Sequence, residues 1–214
     1  MSQNLSTAVM QRRVEPHDSL DDFPTPPWAT RALCEFLQSG PPSEPLDMWT
    51  CREPTANRGH MVRPLREYFG SVEAADAFDY GAGFPVEDYL FGIPPAPIDW
   101  TVFNPPFRLA EEFIQRAIAT SKRGVAAIVR AAFLEGMGRY ERLYSVSPPD
   151  YALQFTERVV MHKGKLSADG STATAYAWLI WFPGQKAESF TRLRWIAPCR
   201  KRLERASDYE EQVV

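Results

Sequence analysis

The chain has 214 residues, 44% of them hydrophobic and 24% charged, with a formal net charge of −3. That length suits one ordinary domain with a core of its own, and the composition excludes disorder of the whole chain and any global attraction to nucleic acid. No apolar run is long enough to span a bilayer and the polar N-terminus has no signal-peptide core, so a cytoplasmic protein without a membrane partner is expected.

Residues 1–22 are polar, lack a sustained period and read as a mobile arm that includes Arg12-Arg13. Phe23-Pro24-Thr25-Pro26-Pro27-Trp28 is stiff, its prolines forbid a strand, and Thr25 is a candidate N-cap. A helix is predicted from about Trp28 to Gln38, with Ala29, Ala32, Leu33, Phe36 and Leu37 on one face, ended by Gly40-Pro41-Pro42. Leu46 to Cys51 reads as the first strand. It runs into Glu53-Pro54-Thr55-Ala56-Asn57-Arg58-Gly59-His60, and an amphipathic helix through Met61, Leu65, Tyr68 and Phe69 follows. Strand, small-residue turn and helix open a βαβ unit, in which backbone N–H groups at the helix start can face a ligand. Pro64 requires that helix to start late or to kink.

Val72 to Phe78 reads as a second strand containing Asp76 near its end, either a solvent-facing acid or one placed to hold a ribose diol. Glu87-Asp88-Tyr89-Leu90 sets another acid beside an aromatic, with no clear third strand. The apolar run from Ile98 to Phe103 is the next strand, and Asn104-Pro105-Pro106-Phe107 ends it, because two consecutive prolines cannot continue a ladder. Taken alone, this stretch reads first as a Pro-Pro turn after a core strand. Its functional reading is a grip on a flat ring bearing an amine: the Asn104 oxygen and the Pro105 carbonyl accept its two N–H bonds while Phe107 stacks.

Ala110, Phe113, Ile114, Ala117 and Ile118 give the clearest helical stripe, expected to end near Lys122-Arg123-Gly124, and Gly124 to Val129 is a buried strand of parallel-sheet type. Tyr151 to Val160 and Ala173 to Phe182 then suggest an antiparallel hairpin. A basic segment with Arg192, Arg194, Arg200, Lys201, Arg202 and Arg205 closes the chain, either a solvated face or a phosphate-binding patch. Cys34, Cys51 and Cys199 are far apart in sequence and fit reduced thiols, with no metal site expected.

In this order, Phe23-Pro24-Thr25-Pro26, Glu53-Pro54 with Gly59, Asp76, Asp88-Tyr89-Leu90 and Asn104-Pro105-Pro106-Phe107 make the chain resemble the S-adenosylmethionine-dependent amino-methyltransferases. It is most similar to the small phage-type DNA adenine N6-methyltransferases, over Phe23 to Trp195. The Arg130 to Gly136 stretch also looks like this group. The resemblance implies an α/β fold: a single Rossmann-like class I methyltransferase domain over 23–198, with a mixed sheet of about seven strands, a C-terminal hairpin, and a basic then acidic tail over 199–214. It implies S-adenosylmethionine as cofactor, held by Phe23, Thr25, Pro26, Glu53, Pro54, Asn57, Gly59, Asp76, Asp88 and Tyr89. Among these, Glu53 is implied to reach the methionine amine, Asp76 the ribose, and Asp88 the adenine amine. Asn104, Pro105, Pro106 and Phe107 are implied to hold the base to be methylated, with Arg194, Arg200, Lys201, Arg202 and Arg205 as candidate contacts to DNA.

The family's cofactor loop has glycine where this chain has Asn57. Asparagine is the non-glycine residue that best tolerates a left-handed conformation, so a working loop is expected. RNA as the substrate, glutamine in protein, and a catalytically silent binding module are the alternatives.

Overall fold

The computed structural model describes residues 21–40, 43–184 and 190–210, so the arm expected over 1–22 lies outside the described residues except for Asp21 and Asp22, as do residues 211–214 of the tail. Pro27 opens helix α1 (Pro27–Ser39), because a first turn needs no N–H from it. Thr25 does not cap this helix. A proline disfavours the α region for the residue before it, so Pro26 stays extended at ψ 133° and becomes the cap itself, without a side-chain hydrogen bond. Trp28, Ala29, Leu33 and Leu37 are buried along α1, and the Gly40 N–H closes the helix on the Phe36 carbonyl.

The first strand starts later than its apolar pattern suggested. Leu46–Met48 is a 3-10 turn, and β1 comprises Thr50–Glu53, all paired with β2 and, at Cys51 and Arg52, with β3 as well. Helix α2 (Val62–Tyr68) starts late and takes Pro64 into its first turn, where a missing N–H is harmless. Strand β2 (Ser71–Ala74) stops short of Phe78. The Asp76 carboxylate draws the chain out of the ladder by accepting from the backbone N–H groups of Asn57 and Phe78. Among the described residues no further strand forms before Ile98; Asp76 and Val86 share an isolated bridge.

Strand β3 (Ile98–Phe103) and helix α3 (Ala110–Thr120) follow the predicted pattern. The helix ends at Thr120, and Lys122, Arg123 and Gly124 belong already to β4 (Ser121–Arg130). A 3-10 turn at Ala131–Leu134, a short helix α4 (Met137–Arg139) and a π-turn at Tyr140–Tyr144 lead to β5 (Tyr151–Phe155) and β6 (Tyr176–Trp181). The expected hairpin is there, with β5 and β6 antiparallel. The basic segment after it contributes a strand that its charge concealed, β7 (Arg192–Ile196), parallel to β5 at the sheet edge.

The seven strands lie in the order β2-β1-β3-β4-β6-β5-β7, with β6 alone antiparallel to its neighbours. Chain order reverses direction between β1 and β3, so their carboxyl ends leave a crevice at the switch point of the sheet. Helices α1 and α2 cover one face through Trp28, Leu33, Leu65, Trp100 and Trp178; α3 covers the other through Phe103, Phe113, Ile114 and Leu179. The Trp178 indole N–H donates to the Ala29 carbonyl at 3.0 Å, tying α1 to the sheet centre. Buried Arg31, also on α1, donates to Glu67 of α2, to Asp208 and to the Leu203 carbonyl, which folds residues 199–210 back against the first helices. No helix of the described residues is long and apolar enough to cross a membrane.

Trp100 can lie flat in the sheet because its neighbour in β4 is Gly124: a Cβ there would stand 2.2 Å from the indole ring. Gly124→Ala is therefore expected to destabilise the protein by about 1–3 kcal/mol through overpacking, measured as a lower urea midpoint with an unchanged denaturant slope.

Candidate active site

A cleft of about 840 Å³ opens at the carboxyl ends of β1 and β3, between the loop after β1, the Asn104 loop and the segment Asp21–Thr25. Its walls bring together Phe23, Thr25, Pro54, Asn57, Asp76, Asn104, Pro106 and Phe107 among the residues implied by the sequence. Pro26, Glu53, Gly59 and Pro105 stand behind or beside those walls rather than on them. Asp88 and Tyr89 are not brought to this cleft. Among the described residues no strand forms on the outer side of β2, and the Asp88 carboxylate accepts from the N–H groups of Leu90 and Phe91 at 2.9 and 3.2 Å. Tyr89 is buried instead, with its ring 5.2 Å from Phe113 and its hydroxyl 3.4 Å from that of Thr120. Asp88 and Tyr89 line a second, larger hollow of about 1400 Å³, which shares Pro54, His60 and Tyr80 with the first.

The loop after β1 is set by its backbone. Asn57 adopts φ 50° and Gly59 φ 79°, so asparagine does occupy the left-handed position that the turn demands. The Asn57 amide donates to Asp22 at 2.7 Å while its oxygen accepts from the Arg58 N–H, and Arg58 pairs with Asp22 at 3.0 Å. Glu53, fully buried at the end of β1, receives the Thr55 N–H and hydroxyl on one carboxylate oxygen. Its other oxygen is buried with no partner among the described residues, and the same holds for the Thr25 hydroxyl.

Burial pushes the Glu53 carboxyl up to about 8, against the lowering by the two Thr55 hydrogen bonds and with help from the nearby Asp76 charge. Burial also raises Asp76, although backbone N–H groups oppose it. His60 is pushed the other way, down to about 4, by burial and then by Arg63 and Arg58.

At the end of β3, the Asn104 side-chain nitrogen donates to the Phe23 carbonyl at 2.8 Å, and its oxygen accepts no hydrogen bond among the described residues. The Phe107 N–H donates to Asp21 at 2.5 Å. The Phe107 ring lies 5.2 Å from Phe23 and carries the Arg130 guanidinium 3.5 Å above its centroid. Asp21, Asp22, His60 and Arg130 thus belong to the site without having been singled out as site residues. Contacts such as Asp21 to Phe107 join residues 86 apart, and no periodicity or motif announces them.

The tail arginines are largely engaged within the chain: Arg200 pairs with Glu204, Arg202 with Glu35 and Arg205 with Glu67. Arg194 and Lys201 make no ion pair among the described residues.

No protein-family model and no characterised protein sequence matches the chain. Among solved structures, a modification subunit assigned to a type I restriction enzyme from Vibrio vulnificus aligns with a TM-score of 0.56 at 15% identity, covering 89% of this chain and 50% of that one. The type I restriction-modification methyltransferase subunit from Streptococcus thermophilus gives 0.55 at 11% identity, covering 77% and 46%. A protein assigned as an RNA methyltransferase from Pyrococcus horikoshii gives 0.55 at 14%, covering 79% and 91%. The chain spans about half the length of the two restriction-system subunits. The sheet and its flanking helices have the Rossmann-like class I methyltransferase fold.

Because the folded-state pKa of Glu53 lies above its unfolded value, the native state binds the extra proton, and stability falls as pH rises from about 4.5 to about 8. His60 acts oppositely below its ordinary 6.5, so the Glu53 contribution is read as a difference between proteins. Urea titrations from pH 5 to 8 should show wild type losing stability relative to Glu53→Gln as pH increases; parallel curves contradict the assignment.

Proposed function

We propose that the chain is an S-adenosylmethionine-dependent methyltransferase that modifies the N6 amine of adenine in DNA. The observation that carries this reading is Asn104: its amide nitrogen is bound to the Phe23 carbonyl, which leaves the side-chain oxygen in the cleft as the acceptor for an incoming amine. An aromatic amine is a poor nucleophile because its lone pair is delocalised. Acceptors on both of its protons, the Asn104 oxygen and the Pro105 carbonyl, favour a pyramidal nitrogen whose lone pair is available.

The cofactor fits the residues present. An α-amino acid end would offer its ammonium to the orphaned Glu53 oxygen and its carboxylate to the orphaned Thr25 hydroxyl, satisfying two buried groups that are otherwise costly. Asp76 would accept from the ribose hydroxyls, and the positive φ of Asn57 and Gly59 lets the backbone pass close to the methionine moiety. Pro54 would wall that moiety, and Asp88 with Tyr89 would meet the adenine end across the hollow that adjoins the cleft. Bound there, S-adenosylmethionine would supply a sulfonium methyl that passes to the amine nitrogen as the carbon–sulfur pair returns to sulfur and one amine proton leaves. The chain's contribution is alignment and the exclusion of water rather than a strong base.

DNA as the polymer is supported by the motif order and by likeness in fold to modification subunits of type I restriction systems. RNA is the second reading, supported by the likeness in fold to a protein assigned as an RNA methyltransferase. Arg194 and Lys201 remain open for contact with the backbone of either.

Labelled methyl transfer to unmethylated DNA, total RNA and protein in parallel should label N6-methyladenine in DNA; label in RNA or glutamine alone replaces the substrate assignment. Asn104→Ala should lower kcat by at least about a hundredfold with cofactor affinity unchanged by calorimetry. Asp76→Ala should instead weaken cofactor binding by about tenfold or more, and unaltered affinity removes Asp76 from the ribose.

A further inference from the structure

Several arginines that line the adjoining hollow are committed to internal acceptors. Arg52 pairs with Glu73, Arg58 with Asp22, and Arg63 donates to the Arg58 carbonyl. The two on the walls of the cleft itself are not: Arg130 lies over the Phe107 ring and Arg108 is the next residue in the chain. Arg130 ends β4 inside the cleft with its guanidinium 3.5 Å above Phe107; its Nε is buried without a hydrogen-bond partner, and none of its nitrogens has one among the described residues. Arg108 follows Phe107 directly, lines the same cleft, is exposed, and forms no hydrogen bond or ion pair among the described residues.

The cleft's acids do not supply the missing partner. Asp76 is turned on backbone N–H groups, Asp22 on Asn57 and Arg58, and Asp21 accepts from the Phe107 N–H. A buried guanidinium edge left without an acceptor is costly. What both side chains lack is an anion, and a planar fork over an aromatic suits the bidentate geometry of phosphate better than it suits an amide or a neutral ring.

We propose that Arg108 and Arg130, both on the wall of the cleft that carries Phe107, form a phosphate clamp that holds the backbone of the strand whose adenine enters the cleft. The clamp rests on the function proposed above and adds to it the residues that select a nucleotide within a polymer over a free base or a protein amide. The stacked guanidinium is held in place by the ring, so Arg130 is presented to the strand in one orientation with little rotamer entropy left to lose. Phosphate contacts of this kind position a strand without reading its sequence, which matches an opening that bears two fixed charges and carries no added recognition domain among the described residues.

The test compares wild type, Arg108→Gln, Arg130→Gln and Arg130→Lys in methyl transfer to an adenine-containing oligonucleotide over a series of salt concentrations. Each Gln variant should raise KM about tenfold and flatten the salt dependence of log KM by about one unit of slope, with the cofactor dissociation constant unchanged. Arg130→Lys, which keeps the charge, should retain the wild-type slope. On an oligonucleotide with neutral methylphosphonates at the two linkages flanking the target adenine, wild type and Gln variants should become equal. Gln variants with the wild-type slope, or a deficit that persists on the neutral oligonucleotide, overturn the clamp and leave the proposed function standing. Wild type that binds cofactor yet methylates no oligonucleotide overturns the function itself, and the clamp with it.

Discussion

Three consecutive residues, Asp21, Asp22 and Phe23, hold the crevice together. Asp21 accepts from the Phe107 backbone, Asp22 from Asn57 and Arg58, and the Phe23 carbonyl from Asn104. One short strap therefore joins the loop after β1 to the loop after β3, the two segments that diverge at the switch point of the sheet. Loops at strand ends are the mobile part of an α/β fold. Here their relative position is held by charge-assisted hydrogen bonds, and Asp22 makes its share while almost wholly buried.

The strap also explains the polarity of the crevice. Asn104, which lines the cleft, spends its nitrogen on Phe23 and keeps an oxygen that accepts no hydrogen bond among the described residues; with its amide spent on Asp22, Asn57 takes up a left-handed turn with a bonded side chain. Behind this frame, Glu53 keeps one oxygen unpaired in a fully buried site. Burial raises the pKa of a carboxyl so placed and favours its protonated form near neutral pH.

Charge is partitioned in the same economical way. Arginines away from the crevice bind the chain's own carboxylates: Arg200 pairs within the tail, while Arg31, Arg202 and Arg205 fasten the tail to α1 and α2. Surface pairs of this kind are individually weak, but Arg31 and Asp208 are both buried, so loss of either partner strands a charge. Among the described residues, the guanidinium groups of Arg108 and Arg130 are left open on the walls of the cleft. A chain with a slightly negative net charge can in this way present positive charge at one mouth.

Much of the architecture was legible by local rules. Double prolines end β3 at Asn104 wherever the strand sits, a 3.6-residue stripe places α3, and an asparagine in a tight loop anticipates φ above zero at Asn57. Boundaries set by pairing were not legible: β1 begins only where Ser71 and Trp100 supply partners, β2 stops where Asp76 finds N–H groups, and β7 hides in a basic run because its register is dictated by β5. Periodicity and backbone sterics within a few residues specify the parallel α/β core and the Asn104 loop, whatever packs around them. Tertiary structure alone decided that Asp21, Asp22 and Arg130 belong to the crevice, that Asp88 and Tyr89 stand apart from it, and that most of the tail's positive charge is consumed internally. Each of these depends on contacts between residues far apart in the chain, or on a neighbouring strand that does not form, and neither leaves a local pattern to read.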